Sequence, residues 1–209
     1  MINRILSIAM ALLATVVGLY PALYFIVKER FGLLLSKDDA LLKNTGWNTG
    51  FYTHITFGGL ALLIGWIQFS NKLRTKKPTL HRQIGKVYVI SVLLSAVAAM
   101  YISFYATSGF IAAFGFFLLG AVWFFSTLKA YVDIRNGRIN SHQAMMIYSY
   151  AACMAAVTLR IYLPILQNIF NPLIGYRIDA WLCWVPNIMV AWLINRNIYR
   201  KRTTLLAAA

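Results

Sequence analysis

The sequence predicts an all-α integral membrane protein with six transmembrane helices. Hydrophobic residues make up 60% of the 209 residues and charged residues only 12%, whereas about a quarter of the residues of a typical soluble domain are charged. The mean hydropathy is +0.66. Apolar runs long enough to cross a hydrocarbon core of about 30 Å as helices cover about residues 5–27, 51–69, 87–106, 110–132, 142–165 and 181–195.

The basic residues predict the topology. The formal net charge is +15, which would suit a nucleic-acid partner, but the charge is concentrated in short segments between the apolar runs. These segments are residues 71–86, 135–138 and 196–202. Short basic loops stay on the cytoplasmic side and contact anionic lipid headgroups. We therefore expect a protein of the bacterial cytoplasmic (inner) membrane, with both termini inside and no nucleic-acid partner.

Residues 1–206 form a single predicted membrane domain, because no stretch is long enough for a separate soluble domain. The first run is longer than the apolar part of a signal peptide and is interpreted as a retained helix. Residues 207–209, three alanines, are interpreted as a tail outside this domain.

Small residues predict that helices two to five form the core. In the second helix Gly58, Ala61 and Gly65 share a face with His54, which lets another backbone approach closely. The third helix carries a similar face that begins at His81.

The fifth run carries the clearest polar stripe. On a helix of about 100° per residue, His142, Ser149, Cys153 and Arg160 fall on one narrow face. An arginine facing lipid costs at least about 2.5–3.5 kcal/mol, so this stripe is expected to face other helices or a cavity.

Few other groups with catalytic chemistry are present. Cys153 and Cys183 lie in apolar runs and are expected to be buried free thiols. No acidic residue lies inside a predicted span, which argues against a carboxylate-driven proton pump or a paired-carboxylate hydrolase. The five acids are Glu29, Asp38, Asp39, Asp133 and Asp179.

Topology then predicts two candidate sites on opposite sides of the membrane. His81 and His142 begin the third and fifth helices at the inner boundary. His54 and Arg160 lie at a common level nearer the outer side, where Tyr101 and Asn187 would flank a ligand.

Three short motifs carry a resemblance to a known family. They are His54-x-x-x-x-Gly59, Leu80-His81-Arg82-x-x-Gly85-Lys86-x-Tyr88, and Ser141-His142-Gln143 followed by Arg160. This pattern, over about residues 52–163, resembles the bacterial domain-of-unknown-function family 2306, a family of predicted membrane proteins. The resemblance implies a polytopic membrane protein and no particular activity.

The first functional hypothesis is a haem-binding membrane protein for electron transfer or oxidase assembly. Helical membrane bundles hold b-type haem between histidines on two helices, and His81 and His142 are the candidate iron ligands. Arg82 would pair with a propionate, and Tyr88 lies on the face that begins at His81. With one such pair, electron transfer through two bis-histidine haems is excluded.

Three other hypotheses remain open. The same histidines would suit a membrane metal-dependent hydrolase, although a catalytic zinc needs about three protein ligands. The outer His54–Arg160 pair would suit a carrier or binding protein for a small anion, lipid or quinone. In a structural or assembly role, the histidines would be interfacial caps and Arg160 would extend towards the membrane surface.

Overall fold

The computed structural model describes the backbone of residues 4–27 and 29–207, and within these ranges it contains helices and no strand. Six helical segments are long and apolar enough to cross a membrane, which confirms the predicted fold class. The α-helices are α1 (Arg4–Leu19), α2 (Leu23–Ile26), α3 (Asp39–Leu42), α4 (Thr45–Gly65), α5 (Asn71–Lys76), α6 (Pro78–Ser103), α7 (Phe110–Arg135), α8 (Ile139–Cys153), α9 (Ala155–Ile169), α10 (Pro172–Leu182) and α11 (Val185–Ala207). Short 3-10 helices cover Tyr20–Ala22, Gly32–Ser36 and Trp66–Phe69.

Some spans consist of one helix and others of two successive helices. They are α1 with α2, α4 with the following 3-10 helix, α6, α7, α8 with α9, and α10 with α11. The end of the bundle that carries α5, the α7–α8 turn and residues 196–200 is called the basic end here. The segment Gly32–Leu42 lies at the opposite end. Of the three final alanines, Ala207 ends α11, and the other two lie outside the described residues.

Two prolines start helices ahead of the predicted apolar spans. α6 begins at Pro78, ahead of the span predicted from residue 87 and close to His81, since proline at the first helical position is already in a helical φ range. The predicted bounds between the last two spans, 165 and 181, are wrong, because α9 continues to Ile169 and α10 begins at Pro172. The Asn171 side chain accepts a hydrogen bond from the Ile174 amide at 2.9 Å. Asn171-Pro172 therefore starts a helix as cap and first residue instead of ending one.

The prediction that no acidic residue lies inside a span is also wrong. Asp133 belongs to α7 and Asp179 to α10, and both side chains are fully buried. Asp133 is ion-paired with Lys129 at 3.0 Å and Arg138 at 3.1 Å, and it accepts a hydrogen bond from Ser141. This cluster holds the α7–α8 turn together at the basic end.

The largest core cluster lies where α4, α6, α7 and α8–α9 meet, which confirms the predicted core of helices two to five. Close approach depends on glycine here. A Cβ on Gly65 would lie 2.5 Å from the Tyr150 ring and 2.8 Å from the Tyr88 ring. α1 packs against this core through Gly18 and Gly59, where a Cβ on Gly59 would lie 2.7 Å from the Gly18 carbonyl oxygen.

A chain of buried hydroxyls crosses the core. The Thr127 hydroxyl donates to the Trp123 carbonyl at 2.7 Å. Because that carbonyl can only accept, Ser149 must donate to Thr127 (2.6 Å) and Tyr88 to Ser149 (2.8 Å). The three hydroxyls thus form a chain with one direction, and it joins α6, α7 and α8.

The fifth and sixth spans are interrupted opposite one another. α8 ends at Cys153 and α9 begins at Ala155, while α10 ends at Leu182 and α11 begins at Val185. The Asn187 amide donates to the carbonyls of Ala151 (3.3 Å) and Cys183 (3.0 Å), and the Thr158 hydroxyl also donates to the Cys183 carbonyl. Side chains of each span therefore bind backbone carbonyls at the interruption of the other.

Candidate functional site

A cavity of about 270 Å³ lies in the half of the bundle remote from the basic end. This is close to the lower limit of small-molecule sites, about 300–1,000 Å³. Every span contributes to its wall, from Val17 in α1 to Tyr176 in α10. Most of the wall is aromatic or aliphatic, and it includes Trp47, Phe51 and Trp123.

The polar part of the wall includes two cationic side chains and a histidine. Lys37, His54 and Arg160 all line the cavity. Among the described residues that form the wall there is no aspartate or glutamate. The two residues that the sequence suggested for an outer site, His54 and Arg160, are thus brought to one cavity.

His54 is fixed by a serine on the neighbouring helix. Its Nδ1 lies 3.0 Å from the Ser95 hydroxyl and 3.2 Å from the Ser95 carbonyl oxygen. The Ser95 hydroxyl in turn donates to the His54 carbonyl at 2.9 Å. Gly58 makes room for this pair, since a Cβ there would lie 3.0 Å from the Ser95 hydroxyl. Because the Ser95 carbonyl can only accept, Nδ1 carries the proton, and Nε2 of the neutral imidazole can only accept a hydrogen bond from a ligand.

Arg160 marks the opening of the cavity. It is the one exposed side chain among the described residues of the wall. Its Nη1 donates to the Ala156 carbonyl at 2.7 Å, and its guanidinium lies 4.8 Å from the centre of the Tyr20 ring. At about 1.5 Å per residue, Arg160 lies roughly 13 Å before the end of α9 at Ile169. The opening is therefore on the side of the bundle, between α9 and the end of α1.

The segment Gly32–Leu42, here called the covering segment, lies over the end of the cavity. Leu33 and Lys37 line it from this segment. The Lys37 ammonium donates to the Tyr105 carbonyl and to the Thr107 hydroxyl at 3.0 Å. Burial lowers the pKa of the Lys37 ammonium below its usual value. These contacts attach the segment to the α6–α7 turn and close the bundle end above the cavity.

Tyr101 and Asn187, the other two residues suggested for the outer site, are not among the residues that line this cavity. Tyr101 is 40% exposed, and its ring packs against Tyr105 at 5.7 Å between centroids. The Asn187 amide is engaged at the interruptions of the fifth and sixth spans.

The inner histidines lie at the basic end and interact electrostatically. The His142 Nδ1 is 2.9 Å from the Ala130 carbonyl oxygen, which leaves its Nε2 for a ligand. The His81 Nδ1 is buried and has no hydrogen-bond partner among the described residues. Arg82 is exposed, and the Tyr88 hydroxyl is engaged with Ser149.

The cavity that contains His54 and Arg160 does not extend to these histidines. A second cavity of about 250 Å³ opens at the basic end between α8 and α11, but His81 and His142 do not line it. Nor do the described residues contain a cluster of three or more histidine, cysteine, aspartate or glutamate residues that could hold a metal ion. The metal-dependent hydrolase hypothesis thus gains no support from the structure.

Sequence reasoning missed three polar residues of the cavity region, Tyr20, Tyr24 and Lys37. The Tyr24 hydroxyl accepts a hydrogen bond from the Leu33 amide at 3.2 Å, which holds the covering segment in place. In the sequence, Tyr20 and Tyr24 resemble ordinary membrane-interface residues, because they are aromatic and lie near the end of a span. A lysine among leucines in the covering segment was the only available signal for Lys37.

Comparison with known proteins gives a family and nothing closer. No curated protein and no solved structure gives a significant match. The model of a family described as predicted membrane proteins, DUF2306, matches residues 51–195, which include α6 to α10 and most of α4. This match covers more than half of the chain, and the protein therefore belongs to the DUF2306 family of predicted membrane proteins.

Proposed function

We propose that the protein binds or carries an anionic, lipid-like molecule, with the acidic group at Arg160 and the apolar part in the cavity. The observation that carries this proposal is the composition of the wall. Cationic side chains line an otherwise largely apolar cavity to which no described carboxylate contributes.

The charge of Arg160 supports an anionic ligand. Arg160 is held by a backbone carbonyl and an aromatic ring, neither of which neutralises it. An unpaired charge at membrane depth is costly, and a bound carboxylate, sulfonate or phosphate would offset that cost. A guanidinium also offers a fork of donors that matches such groups.

The shape of the cavity supports a ligand that arrives from the membrane. The covering segment closes the bundle end, whereas Arg160 at the side is exposed. A ligand with an apolar chain can then enter between α1 and α9 with its acidic group at Arg160. His54, which also lines the cavity, can accept a hydrogen bond at Nε2 from a hydroxyl or amide of the ligand.

We also infer the orientation in the membrane. The basic end would face the cytoplasm and its anionic headgroups in a bacterial inner membrane. The cavity would then open towards the outer leaflet.

Tryptophan fluorescence provides a direct test, because Trp47 and Trp123 line the cavity. A terminally brominated undecanoate should quench the fluorescence of the purified protein with a saturating dose dependence. The matching brominated alcohol should bind more weakly. Arg160→Gln should raise the half-saturating concentration at least about tenfold, since a hydrogen bond to a charged group contributes about 1.5–3 kcal/mol.

Arg196→Gln is the matched control. Arg196 also lies over an aromatic ring, that of Trp192 at 5.2 Å, but it is outside the cavity. Equal quenching by the acid and the alcohol, or equal affinity of the Arg160 and Arg196 variants, would exclude an anion site at Arg160.

The second candidate function is haem binding by His81 and His142 at the basic end. It is favoured by the unpartnered His81 Nδ1 and by the free Nε2 of the nearby His142. The test is the reduced-minus-oxidised visible spectrum of protein purified from cells supplied with haem. A bis-histidine spectrum lost in His81→Ala and in His142→Ala would favour this function, and a colourless protein would exclude it.

A further inference from the structure

Asp179 is a buried acid that has no part in the helix contacts described above or in the proposed anion site. Its side chain is 0% exposed. Neither carboxyl oxygen has a hydrogen-bond partner among the described residues. It differs in this from Asp133, the other buried acid of the spans, which has two cationic partners and a hydroxyl donor.

The packing of α10 shows where this carboxyl lies. One turn before it, Gly175 approaches the α9 backbone, where a Cβ would be 2.9 Å from the Leu166 carbonyl. The next residue, Ala180, has its carbonyl oxygen 2.9 Å from the Cβ position of Gly115 in α7. Asp179 therefore sits in the interface of α10 with α9 and α7.

Among the described side chains, no charged group forms an ion pair with Asp179. The described ionisable side chains of these elements are Lys129, Tyr131, Asp133 and Arg135 near the basic end of α7, Arg160 and Tyr162 in α9, Tyr176, Arg177 and Cys183 around α10, and Arg196, Tyr199 and Arg200 in α11. Of these, Tyr176 and Cys183 interact electrostatically with Asp179. The arginines of α9 and α10 are engaged elsewhere, since Arg177 donates to the Ser108 carbonyl and Arg160 lies over Tyr20.

An isolated carboxylate in such surroundings is strongly disfavoured relative to the neutral acid. Intramembrane acids that face a protein interior frequently belong to proton pathways. Asp179 is also close to the cavity along its own helix. Tyr176, which precedes it by one turn on the same face, lines the cavity.

We propose that Asp179 holds a proton that binds together with the anion, so that the anion site is proton-coupled. This proposal rests on the proposed anion function. An anion at Arg160 makes the region more negative and favours the proton on Asp179. By reciprocity, the protonated Asp179 favours the anion. The step adds one proton to a carboxylate oxygen and one anion to the cavity, and no covalent bond other than O–H forms or breaks.

Infrared spectroscopy of the purified protein tests the proton by itself. A protonated carboxyl has a C=O stretch that is distinct from the carboxylate bands and shifts in deuterium oxide. The chain has five acids. Glu29, Asp38 and Asp39 are exposed and Asp133 is ion-paired, so a protonated-carboxyl band at neutral pH can be assigned to Asp179. The band should strengthen when saturating decanesulfonate is added at neutral pH, and it should be absent in Asp179→Asn. A wild-type protein without the band both with and without decanesulfonate has an ionised Asp179, and the proposal is then wrong.

Binding of decanesulfonate, an anion that does not titrate, tests the coupling. Wild-type affinity should fall at least about fivefold from mildly acidic to alkaline pH, the lower end of usual coupling strengths. Asp179→Asn, a permanently neutral mimic, should lose this component of the pH dependence. Arg196→Gln, outside the cavity, should retain the wild-type pH dependence. Parallel curves for wild type and Asp179→Asn would refute the coupling.

The two measurements separate the possible failures. If decanesulfonate binds to neither protein, the anion function is refuted and the coupling with it, whereas the infrared band still reports the proton. If Asp179→Asn does not fold, the pH titration of the wild-type band decides whether Asp179 is protonated.

Discussion

Gly65→Ala is the sharpest test of how the core packs. The added Cβ would lie 2.5 Å from the Tyr150 ring and 2.8 Å from the Tyr88 ring. Neither ring can yield easily, because both are buried and their hydroxyls are bound to the Leu62 carbonyl and to Ser149. Overpacking of this kind costs about 1–3 kcal/mol, and alanine recovers at most about 1 kcal/mol of helix propensity. We expect a net loss of about 1–2 kcal/mol.

Gly85→Ala is the matched control. Gly85 lies in α6, and a Cβ there would meet only the Gln68 side chain at an ordinary 3.5 Å. In detergent, thermal unfolding followed by tryptophan fluorescence should give a midpoint about 2–8 °C lower for Gly65→Ala, at about 2–4 °C per kcal/mol. The midpoint of Gly85→Ala should be unchanged or higher. Equal midpoints for the two variants would show that α4 does not approach the two tyrosine rings as described.

Three further predictions concern the hydroxyl chain, the covering segment and the topology. Thr127→Val should destabilise the protein by about 1–3 kcal/mol in the same unfolding assay, because the buried Ser149 hydroxyl loses its acceptor. Tyr88→Phe removes only the donor to Ser149 and should cost less. Lys37 assists anion binding only while it is charged, and its lowered pKa means that this charge is lost at lower pH than for an ordinary lysine. Part of the decrease in decanesulfonate affinity at alkaline pH should therefore be absent in Lys37→Met. If this variant shows the same decrease as the wild type, Lys37 does not have this role. A cysteine at Lys76 should resist an impermeant thiol reagent in intact cells while one at Asp38 reacts, against a low background since Cys153 and Cys183 are buried. The reverse labelling pattern would invert the predicted topology.

Composition and charge were sufficient to predict the fold class, because the bilayer restricts the chain to a few solutions. Six apolar runs and three basic segments define the spans without any tertiary information. The start of the sixth span could not be predicted in this way. Tyr176, Arg177 and Asp179 lower its local hydropathy, and Asn171-Pro172 is equally consistent with a loop or with a helix start.

The same reasoning predicted only some of the residues that line the cavity. The alternating directions of the spans place His54 and Arg160 at one level, and both line the cavity. Depth does not fix the rotation of each helix about its axis, which is why Tyr101 and Asn187 share this level without lining the cavity. The covering role of Lys37 depends on its contacts with Tyr105 and Thr107, which are remote in sequence.

The facing interruptions of the fifth and sixth spans make their bends interdependent. Thr158 of the fifth span binds the Cys183 carbonyl, and Asn187 of the sixth span binds the Ala151 carbonyl, so each interruption is held by a side chain of the other span. Beyond the interruptions, α9 and α10 form one hairpin that carries Arg160, Tyr176 and Asp179. The arginine at the opening and the buried acid therefore lie on one hairpin, and the Thr158–Cys183 hydrogen bond joins its two ends.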